Sequence, residues 1–155
     1  GNNHPDTGRL LFHLGNVHKV RCEYKEALQV YKKTLSIERA NFGRHHIEII
    51  ATLCEIGNIY FLTNDLDNAI SAFDEALKIA KANSEWKREN PMMIDILFQL
   101  IKLNVESGRT DEANKCQREL MNELCDLGYD KISNKMFEIA LMLNFIERPP
   151  AAAAA

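Results

Sequence analysis

With 155 residues, 46% of them hydrophobic, the chain suits one domain and can bury a continuous core. A net charge of −3 supplies no basic field, which argues against nucleic acid as a partner, and no apolar run reaches the ~20 residues of a bilayer span. The four cysteines, Cys22, Cys54, Cys116 and Cys125, show no C-x-x-C spacing and read as reduced thiols of a cytoplasmic protein. Gly1 reads as an artificial start, so the lack of a visible signal peptide excludes nothing.

In chain order, Pro5 suits the first turn of a helix, predicted from about Asp6 to Val20. A second runs from about Tyr24 to Ala40, and Asn41-Phe42-Gly43 ends it with a glycine cap. Helices from about His46 to Leu62 and Leu66 to Ala82 follow. On the first of these, Leu53, Ile56, Gly57 and Tyr60 share a face; on the second, Ala69, Ile70, Phe73, Ala76 and Leu77 do. Between them, Asn64 suits a left-handed position and Asp65 an N-cap. Gly57 and Ala69 are the small members of the two faces and let the axes approach closely.

The connector from Asn83 to Asn90 is polar apart from Trp86, which is expected to pack over a helix end. Pro91 opens a third pair, about Pro91 to Ser107 and Asp111 to Asp126, with Gly108 at the turn and Thr110 as a cap. A seventh helix is predicted from about Lys131 to Glu147, rich in Met136, Phe137, Ile139, Leu143 and Phe145. It is expected to cover the last exposed core face as a cap, the alternative being the first half of a fourth repeat. Residues 148–155, which begin Arg148-Pro149-Pro150 and end in alanines, read as an artificial or unassigned tail.

The pairs are copies of one unit. Gly15-Asn16 recurs as Gly57-Asn58, a spacing of 42, and at that spacing Leu11 matches Leu53, Ala27 matches Ala69 and Tyr31 matches Phe73. At a spacing of 44, Leu97, Leu100 and Leu103 fall on Leu53, Ile56 and Ile59, and Ala113 on Ala69. Repeats of this length, each a helix pair, mark an α-solenoid, because one pair cannot bury its apolar face alone.

The pattern resembles the tetratricopeptide repeat: a large residue, Leu-Gly, an aromatic, then Ala, aromatic and Ala at fixed offsets. Repeat two reads Leu53, Ile56-Gly57, Tyr60, Ala69, Phe73, Ala76; repeat one reads Leu11, Leu14-Gly15, His18, Ala27, Tyr31, Thr34. Repeat three keeps the offsets as Leu97, Leu100-Ile101, Asn104, Ala113, Gln117, Leu120, but loses the small residue and both aromatics. The 42-residue length is similar to that of kinesin light chains and related scaffold proteins. The resemblance implies an all-α, right-handed superhelix. It would hold repeats at about 4–42, 46–84 and 90–127 and a capping helix at about 131–147, in a single domain over 1–147.

By the same resemblance, the first helix of each pair lines a concave groove. Its inward-facing residues would be Arg9, Phe12, Asn16 and Lys19; Ala51, Cys54, Asn58 and Phe61; and Asp95, Phe98, Lys102 and Val105. Three phenylalanines on this side suggest a contact surface. Asn16 and Asn58 share one offset, and an amide can donate to and accept from a peptide backbone at once. The implied function is a non-enzymatic scaffold or adaptor module taking a protein or peptide, with aromatic and acidic character, and needing no cofactor, metal or membrane. A chaperone-tail clamp does not fit: its positions here read Phe12, Asn16, Glu55, Asp95 and Gln99, and the acidic ones would repel a carboxylate. His4, His45 and His46 read as loop and capping residues rather than zinc ligands. Two alternatives remain: self-association into a larger assembly, and a hydrolase using Cys54 with His13 or His18.

Overall fold

The computed structural model describes residues 4–83 and 92–127, which form six α-helices. They are α1 (Pro5–Val20), α2 (Tyr24–Phe42), α3 (Glu48–Leu62), α4 (Leu66–Ala82), α5 (Met92–Glu106) and α6 (Thr110–Leu127). The connector around Trp86 and the predicted helix at 131–147 lie outside the described residues.

Near the starts of α1, α3 and α4, side-chain acceptors meet otherwise orphaned N–H groups. Asp6 N–H donates to His4 Nδ1 (3.2 Å), Glu48 N–H to His46 Nδ1 (3.3 Å) and Asn68 N–H to Asp65 Oδ1 (3.3 Å). His4 is the N-cap of α1, whereas His46, at the equivalent repeat position, lies one residue before Ile47, the N-cap of α3. The ring of His46 also stacks on Phe42, with centroids 5.1 Å apart.

One turn joins the two helices of every pair. Cys22, Asn64 and Gly108 have φ values of 60°, 61° and 72°. The residue after each donates back to the carbonyl five positions earlier: Glu23 to His18 (2.9 Å), Asp65 to Tyr60 (2.8 Å) and Arg109 to Asn104 (2.8 Å). A bond to the carbonyl three positions earlier accompanies each, from Cys22 to Lys19, Asn64 to Phe61 and Gly108 to Val105. This is the Schellman arrangement, which satisfies the last helical carbonyls and reverses the chain. Asn64 and Gly108 are residues that tolerate the left-handed position, whereas Cys22 pays a steric penalty there that its sequence type does not announce.

Each reversal lays the second helix antiparallel on the first, and α2 on α3 and α4 on α5 join the pairs. Within repeat one the ring of Tyr31 lies on Gly15; within repeat two the ring of Phe73 lies on Gly57. A Cβ on Gly15 would stand 2.5 Å from Tyr31 Cε1, and one on Gly57 would stand 2.6 Å from Phe73 Cε2. Both rings are buried, so neither can swing aside. Ala27, Ala69 and Ala113, at equivalent places on the second helices, are buried as well. The core continues through Leu53, Ile59, Ile79, Leu97, Leu100 and Leu120.

One part of the expected core is not buried. Leu14 is 43% exposed, with Leu10 at 71% and Val17 at 47% beside it, while the matching Ile56, Thr52 and Ile59 of α3 are buried. In α3 that face packs on α2, whereas in α1 it stays exposed. The repeat motif marks which face is apolar, but a neighbour must be present to bury it.

Among the described residues ion pairs run between like helices: Lys19 to Glu55 (2.5 Å), Arg39 to Glu75 (2.6 Å) and Lys81 to Glu119 (2.6 Å). The last two are the same pair one repeat apart. The first helices α1, α3 and α5 therefore make one layer, and α2, α4 and α6 the other. These pairs are at most partly buried, and surface ion pairs contribute about 0–1 kcal/mol each, so they register the layers more than they hold them.

Two outcomes are expected. Gly57→Ala should lower stability by about 1–3 kcal/mol through overpacking against Phe73, even though alanine favours a helix by about 1 kcal/mol over glycine; chemical denaturation reads this directly. Glu38 accepts a hydrogen bond from Thr52 (3.0 Å), and burial pushes its carboxyl up from 4.5 to about 7. The native state then binds more protons than the unfolded chain between those values, so stability falls as pH rises through that window. Glu38→Gln should melt above the parent at pH 8, with the gap closing as pH drops below about 4.5, the carboxyl's ordinary value.

Candidate functional site

The first-helix layer brings some of the predicted groove residues together and separates others. Lys102 Nζ of α5 lies over two rings, 5.2 Å from the centroid of Phe61 on α3 and 5.9 Å from that of Phe98 on α5. All three residues are half-buried, and both rings also pack against the core. An ammonium held over aromatic faces gains about 0.5–1 kcal/mol where exposed and more where desolvated. It joins repeats two and three across the layer.

Phe12 is not part of that cluster. Its ring tilts against Tyr31 of its own repeat, 5.8 Å between centroids, and meets His13 edge-on. Lys19 is spent on Glu55, and Arg9, well exposed, pairs with Asp6 on its own helix. Asp95 is half-buried and engaged with a neighbouring group. Ala51 is half-buried, and Val105 is exposed at the far end of α5.

The two asparagines at the same offset differ in their surroundings. Asn16 Oδ1 accepts from the Tyr31 hydroxyl at 2.6 Å. Burial, with the Glu55 charge adding, pushes that hydroxyl's pKa up, so it stays a donor at any ordinary pH. At the matching place in repeat two, Phe73 has no hydroxyl. Asn58 is half-buried and carries no side-chain hydrogen bond among the described residues, so its amide keeps both donor and acceptor for a ligand. The repeat offset alone could not separate the two; the Tyr31-to-Phe73 difference was the available signal.

Cys54 lies half-buried in the same layer as a free thiol. Burial, then the nearby charges of Glu55 and Asp95, push its pKa up to about 12. The thiolate is the nucleophile, so this environment suppresses reactivity. His18, the proposed base, bonds Glu23 through Nδ1 at 2.5 Å within its own repeat. Among the described residues no group of three or more His, Cys, Asp or Glu side chains is placed to hold a metal ion, and no helix is long and apolar enough to cross a membrane.

The tetratricopeptide-repeat profile matches residues 6–82, which span the first two helix pairs and both glycine–ring contacts. The chain belongs to the tetratricopeptide repeat family. Its solved structural neighbours share the fold. BtubC (BKLC) from P. vanneervenii aligns at TM-score 0.75 and 16% identity over 83% of this chain and 51% of its own. A kinesin light chain with nearly identical tetratricopeptide-like repeats, described as putative, from Podosopora anserina aligns at TM-score 0.73 and 13% identity, covering 94% of this chain and 76% of its own. The Rap conjugation gene regulator of plasmid pLS20, solved in complex with the Phr* peptide, aligns at TM-score 0.68 and 19% identity over 87% of this chain and 36% of its own. This tetratricopeptide-repeat chain thus spans about half the length of the first of these neighbours. No curated protein sequence matches it.

Thiol labelling checks the electrostatics of the layer. In a Cys22→Ser, Cys116→Ser, Cys125→Ser background, Cys54 should label slowly at pH 8 and about tenfold faster per pH unit up to pH 10, as expected for a thiol titrating well above that range. A rate that levels off below pH 9 would mark an activated thiol.

Proposed function

We propose that this chain is a non-enzymatic interaction module, a scaffold or adaptor part, that takes a partner peptide or helix along the first-helix layer. The observation that carries the reading is the Phe61–Lys102–Phe98 cluster on α3 and α5 with the uncommitted amide of Asn58 one turn away from Phe61. The rings offer apolar contact, the ammonium between them offers a positive charge, and the asparagine offers paired bonds to a peptide backbone. The combination favours an aromatic or aliphatic anchor next to an acidic residue. The high pKa of Cys54 speaks against the thiol-enzyme alternative. Family membership, and a peptide held by one structural neighbour, support the same class of ligand.

Phe12, Asn16 and Lys19 take a lesser part in this reading, because each is already engaged within the molecule. Binding is therefore expected to centre on repeats two and three. With a partner recovered by co-precipitation, Phe61→Ala and Asn58→Ala should each weaken binding by more than about 1 kcal/mol with circular dichroism unchanged. Asn16→Ala should weaken it less. Lys102→Ala should act more strongly at low salt than at 0.15 M, where screening shortens to about 8 Å. Normal binding by both Phe61→Ala and Asn58→Ala would overturn the assignment.

A further inference from the structure

The second-helix layer holds a recess of its own. Between α2 and α4 lies an open cleft of about 680 Å³, a size at which small ligands and short peptide segments are held. Its floor is apolar and aromatic: half-buried Tyr60 of α3 lines it, over buried Leu53 and Ile56. Three cations line it, Lys32, Arg39 and Arg44, against one acid, Glu75. That acid is already used, since Arg39 Nη2 donates to it at 2.6 Å. Lys32 Nζ sits 5.5 Å over the Tyr60 ring. Neither Lys32 nor Arg44 has a carboxylate partner among the described residues, and Arg39 Nε is buried with no hydrogen-bond partner there. The chain as a whole carries −3, so a basic recess here is a local arrangement rather than a consequence of composition.

One repeat further on, the same positions read differently. Ser36 and Ser71, at the mouth of the cleft, become Lys78 and Lys115; Lys32 becomes Asp74, Asn68 becomes Glu112 and Tyr60 becomes Asn104. Asp74 there feels the charges of Lys78, Glu112, Lys115 and Lys81 together, so the side chains at those positions neutralise one another. Repeat symmetry therefore does not account for the first cleft. Small residues at its mouth leave it open, its floor keeps an aromatic ring, and its excess charge is positive.

We infer that the α2–α4 cleft is a second ligand site, separate from the Phe61–Lys102–Phe98 surface, and that it takes an acidic peptide segment carrying an apolar side chain. The apolar side chain rests against Tyr60, and flanking carboxylates meet Lys32 and Arg44. Charge complementarity selects the sign of the ligand. The floor selects a peptide over a nucleic acid, because three cations in one recess make no extended phosphate track.

The test uses a fluorescein-labelled nonapeptide with a central leucine and glutamates on both sides, and its lysine counterpart, followed by anisotropy. The glutamate peptide should bind and the lysine peptide should not. Lys32→Glu with Arg44→Glu should weaken binding at least tenfold. Ser36→Gln with Ser71→Gln, which narrows the mouth at exposed helix positions without changing charge, should also weaken it and keeps the test valid if the charge reversal disturbs folding. Phe61→Ala and Asn58→Ala should leave this binding unchanged. No binding of the glutamate peptide, equal binding of the lysine peptide, or loss only in the Phe61 and Asn58 variants would overturn the second site. The last result would leave the first-helix reading standing. Equal affinity for a single-stranded oligonucleotide of the same charge, lost in the same cleft variants, would overturn the peptide assignment.

Discussion

A buried aromatic ring pressed against a glycine holds each of the first two repeats together. At Gly15 and Gly57 any side-chain carbon would stand within 2.6 Å of the ring of Tyr31 or Phe73. Close packing leaves no slack to absorb that overlap, so the glycine and the ring are one unit of structure. The third pair makes the same point by substitution. Ile101 stands where the glycine would be, and Gln117 where the ring would be. A branched side chain on one helix is matched by loss of the ring on the other, and α5 and α6 still pack as a pair.

That contact sets the spacing from which the two layers follow. With the helices of a pair held close and reversed by one Schellman turn, every first helix falls on one side and every second helix on the other. Ion pairs between like helices then keep the layers in register, and Arg39–Glu75 and Lys81–Glu119 repeat one arrangement. The two layers end up with different chemistry. The first gathers Phe61, Lys102 and Phe98 around a cation–aromatic contact; the second leaves small residues around a basic recess over Tyr60. The same geometry also leaves an apolar strip on α1, where Leu10, Leu14 and Val17 stay exposed.

Repeat offsets made much of the fold legible in advance. The helix pairs, the paired glycines and rings, the left-handed Asn64 and Gly108, and the Asp65 cap all follow from residue types whose conformational preferences are strong. Cys22 was not legible, since nothing about a cysteine announces a positive φ. The candidate surface was legible only as a helix face. Offsets placed Asn16 beside Asn58 and the three phenylalanines in a row, yet Asn16 is held by Tyr31, Phe12 leans on the same ring, and Lys19 is drawn off to Glu55.

The sequence by itself therefore determined the repeat, the class of fold and the apolar face of each helix, because these depend on periodicity and on local backbone preference. Tertiary structure alone decided which polar groups remain free and which apolar residues are covered. Those outcomes depend on partners far along the chain: Glu55 for Lys19, Tyr31 for Asn16, and α2 for the face of α3 that stays open in α1. A helical periodicity specifies which side a residue occupies; what it meets there is set by the neighbouring repeat.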